Sequence, residues 1–216
     1  RKLTTFNPEG LRVPAGARPK GKTVLQPSAL LTLLNVDTTL YRGKRVHDDY
    51  IHAYRFQLLT GLRPGELLGL RWADIRGDMV YISRAVNVLG EQTQGKNQNA
   101  VRAFALSDRA RAVLEQQRQV TGTQESVFDL VSEAYYYKRW QVYCKSNSIP
   151  PISVYELRHS FVSVVKTLPA GEVKTLVGHS QTMDTFGVYS HALSGDAAAA
   201  AEDVNAAFDR LLTSEK

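Results

Sequence analysis

The chain has 216 residues, enough for one sizeable domain or for a domain with an appendage. It contains no run of about 18 apolar residues, which excludes an ordinary membrane-spanning helix. Its single cysteine, Cys144, excludes a disulfide framework and a zinc site built from cysteines, and predicts a reducing, cytoplasmic setting. The net charge of +6 favours a polyanionic partner.

Residues 1–22 form a basic leader. Its charged residues are Arg1, Lys2, Arg12, Arg18, Lys20 and Lys22 against the single acid Glu9. Three prolines and few large apolar groups over residues 7–22 predict an extended linker, so the compact domain is expected to start near Thr23. Such a strap is expected to lie along a phosphate backbone, with Lys20 and Lys22 as DNA contacts. A solvated basic tail explains the charge equally well.

The first half of the domain alternates helix and strand signals. A helix is predicted after Pro27-Ser28, and a longer one from about Asp48 to Leu59 that stops at Gly61. Pro64 suits the first turn of a short helix that runs through Leu70. Short β-prone runs at 79–82, 85–88 and 101–106 predict strands. The polar stretch 90–99, which carries Lys96, is predicted to connect the last two as a hairpin.

The second half is predicted to be helical. Ser107-Asp108 caps a helix to about Val120, and another runs from Ser132 to about Lys145. Apolar residues at helical spacing predict one buried face in the next helix and another in the last. The first set is Leu157, Phe161, Val164, Val165 and Leu168, and the second is Val204, Ala207, Phe208, Leu211 and Leu212. The expected fold class is α+β, mainly α, with a small antiparallel β-sheet.

Several short strings combine arginine, lysine, histidine and tyrosine in distinctive local settings. The chain has no phosphate-binding loop ending in Gly-Lys-Ser/Thr, no Gly-x-Gly-x-x-Gly and no Gly-x-Ser-x-Gly. The strings that remain are Thr60-Gly61-Leu62-Arg63, Leu70-Arg71-Trp72-Ala73-Asp74-Ile75, the polar hairpin with Lys96, Leu157-Arg158-His159-Ser160-Phe161, Gly178-His179-Ser180 and Tyr189-Ser190-His191.

In their order and in their residues, these short motifs resemble the conserved motifs, or boxes, of the tyrosine recombinases of the phage-integrase type. The resemblance covers essentially residues 7–193 and is nearest to integrases of conjugative transposons, which are mobile genetic elements. Any single box is weak evidence for the family. Five boxes in the right order, with a lysine hairpin between the first and the second, are specific evidence. The resemblance implies a tyrosine-recombinase-like catalytic domain, preceded in the family by DNA-binding domains.

The chemistry of phosphoryl transfer agrees with this resemblance. Arg63 and Arg158 can each present a planar fork to phosphate oxygens. Lys96 can protonate the leaving 5′-oxygen, and His179 can hydrogen-bond a phosphate oxygen or assist proton movement. Tyr189 is the expected nucleophile, and its phosphotyrosine bond allows religation without ATP. The resemblance implies a 3′-phosphotyrosine link and a free 5′-hydroxyl.

Each of these residues also has an ordinary structural explanation. Arg63 can be an ion-pair partner of Glu66, which can equally orient its side chain, and Lys96 in a polar turn can simply be solvated. His179 can end a helix, and Tyr189 can fill the core. Arg158 is harder to explain away, because an unpaired charge on an apolar helix face is costly.

Two departures from the family pattern concern the proton carriers. Tyr155 stands where the family usually has histidine or lysine, three residues before the second arginine. Tyrosine can hydrogen-bond a phosphate but is a poor general base at neutral pH, so its catalytic role is the weakest of the set. The Lys96 hairpin is long and rich in Gln and Asn, so Arg102 can share its role and is also predicted to contact DNA.

Further DNA contacts are expected from Lys138 and Arg139. They belong to the run 135–140, which mixes aromatic and basic side chains as a DNA-facing helix does. A core stripe with a charged solvent edge explains the same run, and is favoured. Trp72 is likewise predicted to lie in the core rather than to stack on a base.

The leading hypothesis is a site-specific DNA recombinase that acts without metal ion, ATP or other cofactor. Residues 1–22 would be an interdomain linker, 23–194 the catalytic domain, and 195–216 a C-terminal helix that docks either on its own domain or, as the resemblance favours, on a neighbouring protomer. Expected partners are double-stranded DNA and further copies of the chain, from dimer to tetramer, with no membrane. Alternatives are type IB topoisomerase-like relaxation and a catalytically impaired DNA-binding relative. The DNA target, the preference for integration or excision, the host and accessory factors stay open.

Overall fold

A computed structural model describes residues 23–93, 102–169, 171, 173, 176 and 194–213. Helices dominate, in agreement with the predicted class. They are α1 (Pro27–Asn35), α2 (Ile51–Thr60), α3 (Pro64–Leu68), α4 (Asp108–Thr121), α5 (Glu133–Ser146), α6 (Val154–Val164) and α7 (Ser194–Thr213), with short 3₁₀ turns at Trp72–Asp74 and Val165–Thr167. Within these ranges, no helix is long and apolar enough to cross a membrane.

The strands form small antiparallel sheets whose pairing differs from the expected one. They are β1 (Thr38–Tyr41), β2 (Lys44–His47), β3 (Ile75–Arg76), β4 (Met79–Ile82), β5 (Ala85–Val86), β6 (Gln92–Thr93) and β7 (Arg102–Ala105). We expected the run 85–88 to pair with 101–106 across the polar stretch. Instead β7 pairs with β4, and β5, shorter than expected, pairs with β6. The β4–β7 pairing places Val80 opposite Phe104, and both side chains are buried.

The hairpin of β1 and β2 was missed entirely from the sequence. Its residues are mostly exposed, including Leu40, Tyr41 and Val46. The sequence therefore lacks the alternation of apolar and polar residues that would predict two strands. The end of α5 holds it in place: the Ser146 hydroxyl accepts the amide of Leu40 at 2.9 Å. This hairpin occupies the interval between α1 and α2.

Helix α2 lies at the centre of the core. It was predicted to begin near Asp48 but begins at Ile51, because Asp48 accepts the Tyr50 amide at 3.0 Å just ahead of the helix. Eight of its ten residues are buried, so it has neighbours on every side. Tyr54 of α2 packs against Tyr136 and Trp140 of α5. The run 135–140 is therefore a core stripe with a charged edge, as favoured above.

Trp72 is half-buried against the same core, as predicted. Its indole N–H donates to the carbonyl of Thr121 at 2.9 Å, and the guanidinium of Arg118 lies over its ring at 4.2 Å. This hydrogen bond and this contact account for the tryptophan without a nucleic-acid base.

Helix α7 packs on its own domain. Phe208 is fully buried, with its ring 6.5 Å from that of Phe161, and Val204 and Ala207 are buried beside it. The guanidinium of Arg109 pairs with Asp209 at 2.5 Å. The apolar stripe therefore has a partner within the chain, which was one of the two alternatives. Docking on a neighbouring protomer stays a prediction.

Candidate phosphate-binding site

The site is built around the turn that ends α2. Gly61 closes the helix with φ of 64°, a left-handed conformation that glycine adopts without penalty. A side chain at Gly61 would also overlap the ring of Phe161. Two residues later Arg63 stands just before Pro64, whose fixed φ suits the start of α3. The turn thus places Arg63 at the first turn of a short helix.

Arg63 forms the ion pair with Glu66 that the sequence suggested. Its guanidinium donates to Glu66 Oε1 at 2.7 Å, and its backbone amide donates to Oε2 at 2.9 Å. The side chain of Glu66 is only 3% exposed, whereas that of Arg63 is 33% exposed. The carboxylate therefore orients an arginine that still has access to an incoming ligand.

Arg102, the first residue of β7, binds the same carboxylate. Its two terminal nitrogens donate to Oε1 and Oε2 of Glu66, each at 2.9 Å, in a fork that matches the carboxylate plane. Burial would raise the pKa of the Glu66 carboxyl. The hydrogen bonds and charges of Arg102 and Arg63 outweigh burial, so that pKa is lowered and Glu66 is ionised at neutral pH.

Arg158 completes the cluster from helix α6. It is 2% exposed, and its guanidinium donates to the carbonyl of Gly61 at 2.7 Å. Burial, followed by the charges of Arg63 and Arg102, lowers the pKa of Arg158 to about 10, which leaves it charged at neutral pH. Three arginines and one carboxylate sum to 3 − 1 = +2. This excess of positive charge, with the partly exposed fork of Arg63 at its edge, suits a phosphate group.

The phage integrase family model matches residues 24–195, which is most of the chain and includes this cluster. The chain belongs to the phage integrase family. The tyrosine-recombinase assignment made from the boxes is therefore confirmed.

Individual relatives agree with the family. The ICEBs1 integrase of Bacillus subtilis (strain 168) is 26% identical over 165 residues, which are 64% of this chain and 44% of that protein. A Tn1549 transposon integrase bound to transposon right end DNA has a TM-score of 0.62 at 20% identity, over 85% of this chain and 66% of that one. A lambda integrase tetramer bound to a Holliday junction has a TM-score of 0.59 at 16% identity, covering 80% and 51%. These structures confirm the fold, and the chain spans less than two thirds of each relative.

Tyr155 lies at the edge of the cluster formed by Arg63, Arg102 and Arg158. It is one turn before Arg158 on α6 and 43% exposed. Its ring meets that of His159 edge to face, with 5.3 Å between centroids. An exposed hydroxyl near the arginines is compatible with a phosphate contact, and its catalytic role stays a prediction.

The two DNA contacts expected on α5 have different surroundings. Lys138 is exposed. Arg139 is partly buried, 3.6 Å from the Asp48 carboxylate and over the ring of Tyr50. Arg139 thus serves the core beside α2, and DNA binding by either residue stays a prediction.

Several predicted residues of the integrase site lie outside the described part of the chain: Lys20, Lys22, Lys96, His179 and Tyr189. The structure brings together Arg63, Arg102 and Arg158, with Tyr155 beside them. It also adds two contacts that the sequence did not announce, the Gly61 carbonyl under Arg158 and the sharing of Glu66 with Arg102. The second joins residues 36 positions apart, for which the chain carries no local signal.

Proposed function

We propose that the chain is the catalytic part of a site-specific DNA recombinase that cleaves and rejoins DNA through a 3′-phosphotyrosine on Tyr189. The observation that carries the proposal is the cluster of Arg63, Arg102 and Arg158, in which Arg63 and Arg102 share the buried carboxylate of Glu66. Its excess positive charge favours an anion, and membership of the phage integrase family makes a DNA phosphate the natural ligand.

The proposed reaction is an in-line displacement at phosphorus. The Tyr189 hydroxyl gives up its proton to solvent as its oxygen forms a bond to phosphorus and the bond to the 5′-oxygen breaks, and Lys96 gives that 5′-oxygen its proton. Arg63 and Arg158 stabilise the negative charge on the non-bridging oxygens, a role for which preorganised donors are effective. His179 assists at a phosphate oxygen. Attack by a 5′-hydroxyl on the phosphotyrosine reverses the step, so rejoining consumes no ATP. Because the arginines supply the positive charge at phosphorus, the proposed reaction needs no metal ion.

The relatives support the proposed partners. The Tn1549 integrase is bound to transposon DNA, and the lambda integrase forms a tetramer on a Holliday junction. By analogy we propose that this chain binds double-stranded DNA in the cytoplasm as a dimer to tetramer. We further propose residues 1–22 as an interdomain linker, 23–194 as the catalytic domain and 195–216 as the helix that docks in the assembly.

Covalent capture tests the proposal. DNA that co-purifies covalently with the full-length protein is sequenced, and a nicked suicide duplex is built from it. Wild type is expected to form a protease-sensitive adduct, whereas Tyr189→Phe forms none and binds DNA with unchanged affinity. Tyr137→Phe, which alters an exposed tyrosine of α5, is the matched control and keeps full activity.

The outcomes separate the competing functions. An adduct with Tyr189→Phe would assign the nucleophile to another tyrosine. Adducts without strand exchange between two sites would indicate topoisomerase-like relaxation. DNA binding without any adduct in wild type would indicate a DNA-binding relative and would overturn the proposed activity.

A further inference from the structure

Arg102 was expected to contact DNA, but the structure places its side chain inside the protein. The side chain is 6% exposed. Its terminal nitrogens take both oxygens of Glu66, and its Nε donates to the carbonyl of Leu176 at 3.1 Å. At least three of the five N–H groups of the guanidinium are thus directed at protein acceptors. A phosphate contact would have to compete with a buried, bidentate ion pair.

The carboxylate of Glu66 is held from two sides. Oε1 accepts from the guanidiniums of both Arg63 and Arg102, and Oε2 accepts from Arg102 and from the backbone amide of Arg63. A shift of the Arg102 fork therefore moves the carboxylate that sets the direction of Arg63.

The same guanidinium connects distant parts of the chain. Arg102 begins β7, directly after the stretch that carries Lys96, and Leu176 precedes His179 by three residues. One side chain thus bonds the Arg63 turn and the segment before His179, while its own strand leads back to the Lys96 stretch.

We propose that Arg102 is a positioning residue, which orients Arg63 through Glu66 and holds the backbone at Leu176, three residues before His179 in the sequence, rather than a DNA ligand. The proposal rests on the proposed function. It predicts that loss of Arg102 slows the cleavage step, because Arg63 is less well oriented, while removing no contact between Arg102 itself and DNA.

A change in the pH dependence of cleavage follows from the same contacts. Burial favours the neutral form of Glu66, and the hydrogen bonds of Arg102 are the largest effect that opposes it. Without Arg102 the pKa of Glu66 rises, so the carboxylate is protonated as the pH falls through that higher value, and Arg63 loses its ion pair with Glu66. The acid limb of the rate profile should therefore move to higher pH, which a merely structural role would not cause.

The test compares Arg102→Met and Arg102→Lys with Arg84→Met, all in the full-length protein. Arg84 is a suitable control, because it is also a partly buried arginine paired with a carboxylate, that of Asp74, outside the cluster. Single-turnover cleavage of the nicked suicide duplex is measured at saturating protein across the mildly acidic to neutral range. Arg102→Met should lower the rate by about 10- to 100-fold, since small misplacements of catalytic groups have effects of this size. Arg102→Lys keeps the charge but loses the fork and should recover only part of the rate.

Salt dependence of binding separates positioning from direct contact. Affinity for a random-sequence duplex is measured over a range of salt concentrations. A lost phosphate contact lowers the slope of log K against log salt by about 0.9, whereas a positioning residue leaves it unchanged. A reduced slope for Arg102→Met, or an unshifted acid limb with a normal rate, would overturn the proposal.

Amide exchange in the DNA-free proteins distinguishes this inference from the proposed function. Arg102→Met should speed exchange at Arg63 and in the segment around Leu176, and Arg84→Met should not. If wild type forms no adduct but this pattern appears, the recombinase function fails while the link through Arg102 stands. If exchange in both segments is unchanged, the link is overturned whatever the activity.

Discussion

Substitution of Gly61 by alanine tests how the end of α2 builds the site. Gly61 has φ of 64°, and its carbonyl accepts the guanidinium of Arg158 at 2.7 Å. An added Cβ would overlap Cδ1 of Phe161 and lie 3.0 Å from Cε1 of the same ring. Because Phe161 is itself fully buried, its ring has little room to retreat.

The expected loss of stability has two parts. An alanine in the left-handed region costs about 1 kcal/mol, and forcing a methyl group into packed surroundings costs about 2 kcal/mol. The sum of about 3 kcal/mol corresponds to a fall in Tm of about 6–12 °C for a chain of this size. Gly77→Ala is the matched control, because Gly77 has φ of 58° with nothing within 4 Å of the added Cβ. Gly77→Ala should lose only the backbone contribution of about 1 kcal/mol, which corresponds to a fall in Tm of about 2–4 °C.

Thermal and denaturant unfolding of the two variants measure these losses, and single-turnover cleavage measures the effect on the site. Gly61→Ala should also slow cleavage at a temperature where it is fully folded, since the carbonyl that holds Arg158 moves with the turn. Gly77→Ala should cleave normally. Equal losses of Tm in the two variants would refute the steric argument, and normal cleavage by Gly61→Ala would refute the link to Arg158.

The remaining predictions concern charge and assembly. Arg158→Lys should slow adduct formation by at least about a hundredfold, because lysine lacks the fork, while DNA affinity measured by gel shift changes little; a normal rate would make Arg158 structural. Burial raises the pKa of Asp48 in the folded protein. The stability of wild type relative to Asp48→Asn should therefore fall as the pH rises from below the usual aspartate pKa through that raised pKa. A difference in Tm between the two proteins that does not depend on pH would contradict this. Phe208→Asp should lower the free energy of unfolding of the DNA-free protein by about 3–5 kcal/mol if α7 docks on its own domain. Unchanged stability with loss of cooperative DNA binding would instead indicate docking on a neighbour.

Local chemistry made most helix boundaries predictable. The Ser107 hydroxyl accepts the amide of Ala110 at the start of α4, Pro64 begins α3 and Gly61 ends α2. These signals act within about four residues and depend on local side-chain and backbone groups, so they can be read without knowledge of the fold. Asp48 shows their limit, since a side chain that captures the Tyr50 amide delays α2 by three residues.

Strand pairing required the tertiary structure. The sequence indicated that 79–82, 85–88 and 101–106 are β-prone, but β7 pairs with β4 because Val80 and Phe104 are buried together. The β1–β2 hairpin gave no strand signal, since its exposed residues do not alternate between apolar and polar, and Gly43 in its turn is the only local cue. Partner choice depends on which apolar faces meet in the core, and short β-prone runs do not contain that information.

The site divides in the same way. The residues and the order of the family boxes predicted Arg63 and Arg158, because the residue types that bind a phosphate are visible in the sequence. The carboxylate that Arg63 shares with Arg102 and the carbonyl under Arg158 were decided by the fold, which joins positions 36 and 97 residues apart. A buried carboxylate requires hydrogen-bond donors. Tertiary packing decides which segments supply these donors, and the local sequence around the carboxylate does not.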